Sequence, residues 1–300
     1  MKTVIQLCFF IFIQAVFAQD LASILENETT PDTDYTIATF KGTRIINGHS
    51  IENRKQGVLE FLISHRFGKI SDGVDEMFGL DDSNIRIALE YGLTDNIMIG
   101  LGRSSFDKAY DGFIKYRVLK QSTGEKNMPL SVSVFGSANI RTLKDYLPED
   151  KPSLQQKTSY VAQILTAKKF NEHFSLQLTP TWVHRNLVNM DADPHDIFAV
   201  GIGGRVRITN RLAVNTEYFY TVNPLESIDA KNSFAIALDI ETGGHIFQLI
   251  FSNANTMIEK TFITETTSDF FKGDIHFGFN ISRAFQIKKN KGFNPDTTDH

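Results

Sequence analysis

From Tyr35 onward the chain alternates apolar and polar residues with a period of two. In NIRIALEY, Ile85, Ile87, Leu89 and Tyr91 share one face, and Arg86, Ala88 and Glu90 share the other. In FSLQLTPTW, Phe174, Leu176, Leu178 and Trp182 oppose Ser175, Gln177, Thr179 and Thr181. Successive side chains of a strand point to opposite faces, so this alternation predicts strands that are wet on one side only. The stretches FIKYRV, LSVSVFGSAN, FAIALDI and DIHFGFNIS repeat the pattern at 113–118, 130–139, 234–240 and 274–282.

Thirteen segments qualify as strands, near 37–46, 57–67, 84–91, 96–103, 112–120, 130–140, 159–169, 174–184, 197–207, 212–222, 233–240, 245–252 and 274–285. Their connections alternate in length. GLTDN (92–96), FNEH (170–173), ITNR (208–211) and ETGGH (241–245) are short and rich in turn formers. The stretches 104–111, 141–158, 186–196, 222–232 and 252–272 are longer and polar. Short turns at one end and long loops at the other are the habit of outer-membrane barrels, which close on an even number of strands. The expected fold is therefore all-β, a single antiparallel up-and-down transmembrane β-barrel of about twelve strands. One segment must drop out, and 37–46 is the weakest.

The N-terminus supplies the route to such a membrane. Lys2, the apolar run Val4 to Phe17 and the exit Val16-Phe17-Ala18 have the layout of a signal peptide cleaved near Ala18. The run is too short to span a bilayer as a helix. The domain organisation read from this is a signal peptide at 1–18, a polar leader at 19–34, a barrel at 35–288 and a polar tail at 289–300. The expected location is the outer membrane of a Gram-negative bacterium, with outer-membrane lipid as the surrounding partner. Later apolar stretches are all interrupted within a few residues by charged or polar ones, which speaks against a helical membrane protein.

Composition narrows the chemistry. The signal peptide removes one lysine and no acid, leaving 30 bases against 35 acids, net −5. That mild excess speaks against a nucleic-acid partner. The only cysteine, Cys8, lies in the signal peptide, so the mature chain is expected to have no disulfide and no thiolate chemistry. GIGGR (Gly201, Gly203, Gly204) and IGLGRS (Gly100, Gly102) complete neither phosphate-binding pattern. They read as small residues where a strand bends or where large inward side chains need room. The eight histidines are scattered without an H-x-x-x-H or H-x-H pair, and no G-x-S-x-G elbow occurs. No catalytic residue, metal site or cofactor is expected.

Charged residues on the wet face carry more information. Arg86, Glu90, Lys115, Arg117, Arg205, Arg207, Glu217 and Asp239 alternate with apolar neighbours, so a barrel would point them into its lumen. There they either brace one another across strands or line a polar path, and cross-strand bracing is the expectation. A second polar cluster, Thr43, Arg44, Asn47, Gly48, His49 and Ser50, lies between apolar stretches and reads as a hairpin turn around Asn-Gly.

The segments ATFKGTRIINGHSIENRKQG (38–57), HRFG (65–68) and MFGLDDSNIRIALEYGLTDNIMIGLGRSSFDKAYDGFIKYRVLKQ (77–121) resemble the β-barrel family of Bacteroidota called domain of unknown function 5777. TRIINGHS and GLDDSNIR are the most specific parts. The resemblance implies an outer-membrane barrel and no particular activity, ligand or catalytic residue.

The leading functional expectation is a barrel that passes or captures a small solute. Its main rival is a structural or partner-binding barrel with a plugged lumen, whose protein partner is unknown. A lipid-modifying barrel enzyme and a soluble secreted β-protein, its apolar faces hidden in one shared core, are more distant alternatives.

Overall fold

The computed structural model describes residues 32–144 and 152–288. The expected signal peptide, most of the leader, the tail and the middle of the 141–158 loop lie outside the described residues. Twelve strands of 8 to 12 residues form one closed antiparallel barrel. They are β1 (Val58–Lys69), β2 (Ser83–Gly92), β3 (Ile97–Ser104), β4 (Tyr110–Leu119), β5 (Ser131–Ile140), β6 (Thr158–Lys169), β7 (Phe174–Arg185), β8 (Asp196–Arg207), β9 (Leu212–Thr221), β10 (Ser233–Thr242), β11 (His245–Ser252) and β12 (His276–Gln286). Each pairs with its neighbours in sequence, and β12 closes on β1, with Ile281 opposite Ile63. Closure leaves no strand edge, so every wall can find backbone partners without water, as a bilayer requires.

The alternation in the sequence becomes the inside and outside of this wall. Ile87, Leu89, Leu101, Ile114, Ile164, Leu178, Ile202 and Leu249 project outward and are exposed, Leu101 at 73%. Rings of aromatic side chains lie at both ends of this aliphatic band: Tyr110, Tyr160, Trp182, Phe198 and Tyr220 towards one end, Tyr116, Phe170, Phe174 and Phe285 towards the other. Such a surface is stable only against lipid. Of the described helices none is long and apolar enough to cross a membrane.

The two ends differ. Connections 93–96, 120–130, 170–173, 208–211 and 243–244 gather at one end together with the start of β1 and the finish of β12; here it is called the turn end. Connections 70–82, 105–109, 141–157, 186–195, 222–232 and 253–275 gather at the other, the loop end. At the turn end the two-residue strands Asp34–Tyr35 and Ser122–Thr123 pair, fixing the incoming chain to the rim.

The thirteenth candidate strand is not part of the wall. Residues 37–46 belong to a segment that enters the barrel from the turn end, reverses, and returns to Gly57, where a left-handed backbone (φ 79°) turns the chain into β1. Phe40, Ile45, Ile46 and Ile51 from this segment are buried against Met98, Phe113, Phe135 and Leu165, which point inward. Those apolar side chains sit at positions where the period-two pattern leads one to expect polar ones, and they face the inserted segment. A second insertion comes from the loop end. The connection between β11 and β12 folds into the barrel mouth and contains a short helix, α1 (Glu259–Thr264), all of whose residues are buried.

Candidate functional site

The inserted N-terminal segment is a tight hairpin. Ile45 N–H donates to Gly48 O and Ser50 N–H to Thr43 O, each at 2.9 Å, and Arg44 bridges to His49. The cluster Thr43, Arg44, Asn47, Gly48, His49 and Ser50 thus does contain a turn, but one plugged into the lumen between its two arms, not one joining two wall strands. All six residues are buried.

Wall side chains hold this plug mainly by its backbone. Glu217 on β9 accepts from the N–H groups of Ile46 (3.3 Å), Asn47 (3.3 Å) and Gly48 (3.0 Å). Gln248 donates to Ile45 O at 2.8 Å, Asn280 to Ile46 O at 2.9 Å and Gln177 to His49 O at 2.8 Å. Lys115 Nζ donates to the carbonyls of Ser50 (2.9 Å) and Glu52 (2.6 Å). Asp239 does not touch the plug. It accepts from Asn215 and Gln248, each at 2.7 Å, and so orients two amides that reach Ile45 O. At the tip Arg66 Nη2 donates to Asn47 Oδ1 at 2.7 Å. Charge-assisted bonds of this kind are worth roughly 1.5 to 3 kcal/mol each.

The eight charged lumen candidates therefore behave differently from a set of cross-strand braces. Arg86 is the only one of them, among the described residues, that pairs with an acid on another wall strand: its Nε lies 2.9 Å from Asp111 Oδ1 on β4. The pair passes over Gly102 on β3, where an added Cβ would come within 2.5 Å of the guanidinium. Glu217 and Lys115 grip the plug, and Asp239 acts through its two amides. Arg117 and Arg205 reach plug groups loosely, at 3.9 Å from Glu52 and 3.5 Å from Ala38 O. Arg207 lies at the turn end, 3.3 Å from Glu172. Glu90 is fully buried, without a hydrogen-bond partner, and 3.6 Å from Arg44 Nε. The reason for the difference is length: a 22-residue insertion brings its own carbonyls and amides to the wall, and these outcompete neighbouring strands for the charges.

The glycines make room for the same hairpin. An added Cβ at Gly203 would lie 2.5 Å from Ile45 Cδ1, and one at Gly201 or Gly100 would strike Phe219 or Phe113 at 2.4 and 2.2 Å. Phe113 in turn packs edge-on against His49, with ring centroids 4.4 Å apart, while Phe135 closes the other side at 4.4 Å.

Plug and helix meet inside the barrel. Arg44 Nη1 donates to Glu259 Oε1 at 2.7 Å, and His49 Nε2 stands 3.7 Å from the same carboxylate. The opposite end of the helix is tied to the wall: Glu265 takes Arg185 Nη1 at 2.7 Å and also pairs with Lys260. Burial raises the pKa of Glu265, but Lys260 and Arg185 together hold it below the ordinary 4.5. Phe262 packs edge-on against Phe219 at 5.3 Å. A vestibule opens at each end of the lumen. One, of about 350 Å³, lies at the turn end around Lys41, Glu52, Arg54, Glu60 and Glu241. The other, of about 340 Å³, lies at the loop end around Arg141, Arg185, Leu225, Ile258 and Lys260. The Arg44–Glu259 contact lies between them. Among the described residues no group of His, Cys, Asp or Glu is placed to hold a metal ion.

Sequence reasoning did not single out Glu259, Arg185, Lys260 or Glu265. Arg185 ends β7 and the other three lie in a loop whose polarity looks like solvation; only the apolar run Met257, Ile258, Phe262, Ile263 signals that the loop between β11 and β12 buries itself.

Residues 40–285 match the model of the family described as a membrane-bound β-barrel domain, domain of unknown function 5777. The chain belongs to this family. The match begins at Phe40, inside the plug, so the family's domain takes in the hairpin as well as the wall. In structure the barrel is similar to the NanC porin (TM-score 0.46, 9% identity, covering 76% of this chain and 98% of that one). It is likewise similar to the KdgM porin (0.45, 6%, 76% and 99%) and to an outer membrane channel from Pseudomonas putida F1 (0.45, 13%, 78% and 98%). No curated protein matches the chain in sequence.

Proposed function

We propose that this membrane-bound barrel is a gated conduit for a small solute, held closed by its N-terminal hairpin and by α1. The observation that carries the reading is the Arg44–Glu259 contact, where two separate insertions meet between a vestibule at the turn end and one at the loop end. The wall groups that hold the plug are amides, carboxylates and ammonium groups bonded to its backbone. Water can take over those bonds when the hairpin withdraws, which offsets part of the cost of baring the apolar patch around Phe113 and Phe135.

The layout Lys2, Val4–Phe17, Ala18 supports export with cleavage near Ala18, and family membership supports a Gram-negative, Bacteroidota-like outer membrane as the destination. In that membrane the turn end faces the periplasm and the loop end the cell exterior. A second reading, a structural barrel plugged for good, is favoured by the apolar contacts of Phe40, Ile45, Ile46 and Ile51. Planar-bilayer recordings separate the two. The parent should be nearly silent, and a variant lacking residues 37–56 should give discrete current steps. A deletion variant that still runs as a heat-modifiable barrel yet passes no current would overturn the conduit.

A further inference from the structure

We infer that the loop-end vestibule is a binding site for a small amphipathic carboxylate, and that Glu265 occupies its charge pocket while the barrel is closed. The inference deepens the conduit reading by naming a solute class. The vestibule, about 340 Å³, has two unlike walls. One is apolar and includes Phe106, Leu187, Leu225, Ile228 and Ile258, of which Leu225 and Ile258 are nearly fully buried. The other carries, among the described residues, Arg185 and Lys260 beside Glu265. Two cations converge there on one carboxylate, and low-dielectric walls strengthen their pull on an anion.

The centre of that charged wall is built, not incidental. Arg185 is 4% exposed, its Nη1 bonds Glu265 and its Nε has no hydrogen-bond partner. Lys260 converges on the same Glu265 carboxylate. A carboxylate held by a guanidinium and an ammonium beside an apolar cavity is the arrangement that a free carboxylate with a hydrocarbon or aryl tail would adopt, with Glu265 as its internal stand-in. An incoming acid therefore competes with Glu265 for Arg185 and Lys260 and places its tail on Leu225 and Ile258. A cation of the same shape would meet Arg185 and Lys260 with like charge, and the Glu265 carboxylate between them is already engaged.

The test is binding, independent of current, so a silent channel and an empty vestibule give different results. Calorimetric titration of phenylacetate into the full chain in lipid nanodiscs should show saturable binding, and phenethylammonium should show none. Arg185→Gln and Lys260→Gln should each weaken phenylacetate binding about tenfold or more. Glu265→Gln should tighten it by a similar factor, a gain that misfolding cannot produce. The inference is overturned if neither the parent nor Glu265→Gln binds phenylacetate, if phenethylammonium binds equally well, or if all three substitutions leave the affinity unchanged.

Discussion

Cutting the contact between plug and helix should unlatch the barrel, and the size of the effect can be worked out from its surroundings. Around Arg44 lie the bases Arg86 and Lys115 and the acids Glu90, Asp111, Glu217 and Glu259, all nearly fully buried. Arg44→Gln removes one base from this cluster and takes the 2.7 Å donor from Glu259. Removing one member of a buried pair costs about 3 to 5 kcal/mol, because the survivor stays desolvated and unpaired. That penalty falls on the closed state alone, since withdrawal of the hairpin lets water reach Glu259. The opening equilibrium should rise by roughly a hundredfold to several thousandfold. Glu259→Gln should act in the same direction but more weakly, because Arg44 keeps Glu90 at 3.6 Å and the Asn47 carbonyl at 2.9 Å. The assay is the frequency of open bursts in planar bilayers for the parent, both single variants and the double variant. A double variant no more open than Arg44→Gln alone would show that the two residues act through one contact. If the single effects simply add, with a coupling below about 0.5 kcal/mol, or if all variants are as silent as the parent while remaining heat-modifiable, the latch does not exist.

Four further predictions address the wall, the cradle, the hairpin and the loop. Leu238→Arg should reduce folding into lipid vesicles by roughly 2 to 4 kcal/mol, since Leu238 faces outward between Val214 and Leu249; unchanged folding yield would mean that this face never meets lipid. Asp239→Asn should fold but loosen the plug, because an amide cannot accept from both Asn215 and Gln248 without turning its own donor toward one of them; conductance as low as the parent's would contradict this. Gly203→Leu should expel the hairpin, as even a Cβ there comes within 2.5 Å of Ile45, so the variant should conduct and become protease-sensitive near Asn47. Glu265, whose folded-state pKa lies below its ordinary 4.5, contributes stability above the unfolded value that is lost only as pH falls through the depressed one. Proteolysis of the 253–275 loop should therefore stay slow down to about pH 5 and quicken only well below the ordinary glutamate range, and a sharp rise between about pH 6 and pH 5 would refute the tie.

Much of the wall was legible in the sequence because the bilayer and the polar lumen impose the same period-two rule on every strand. Arg86 and Glu90 face inward beside outward Ile87 and Leu89, as the spacing implies. The inward apolar residues Phe113, Phe135, Leu165, Val183 and Ile197 broke that rule. Their exception is explained by what fills the lumen, which no single strand's pattern records. The segment 37–46 qualifies as a strand by pattern, and is the weakest of the thirteen, since extended backbone with alternating burial looks the same whether its partners are neighbouring strands or side chains of a surrounding wall. The inward turn of α1 was hidden for a related reason: Glu259, Lys260 and Glu265 are charged, and only their distant partners Arg44 and Arg185 make their burial tolerable.

The position of the hairpin in the chain has a consequence for assembly. It precedes β1, yet its tip is gripped by Arg66 on β1 and Asn280 on β12, the first and last strands, whose pairing closes the cylinder. Arg66 also reaches Asn280 directly, at 3.1 Å, so plug and seam share one knot of hydrogen bonds. A nascent wall cannot form that knot until its ends meet, and the meeting ends find in Asn47 and Ile46 a partner common to both. The hairpin thus acts as a clasp for the first and last strands: loss of Asn47 should slow closure of the cylinder in vesicles before it alters anything that the finished barrel does.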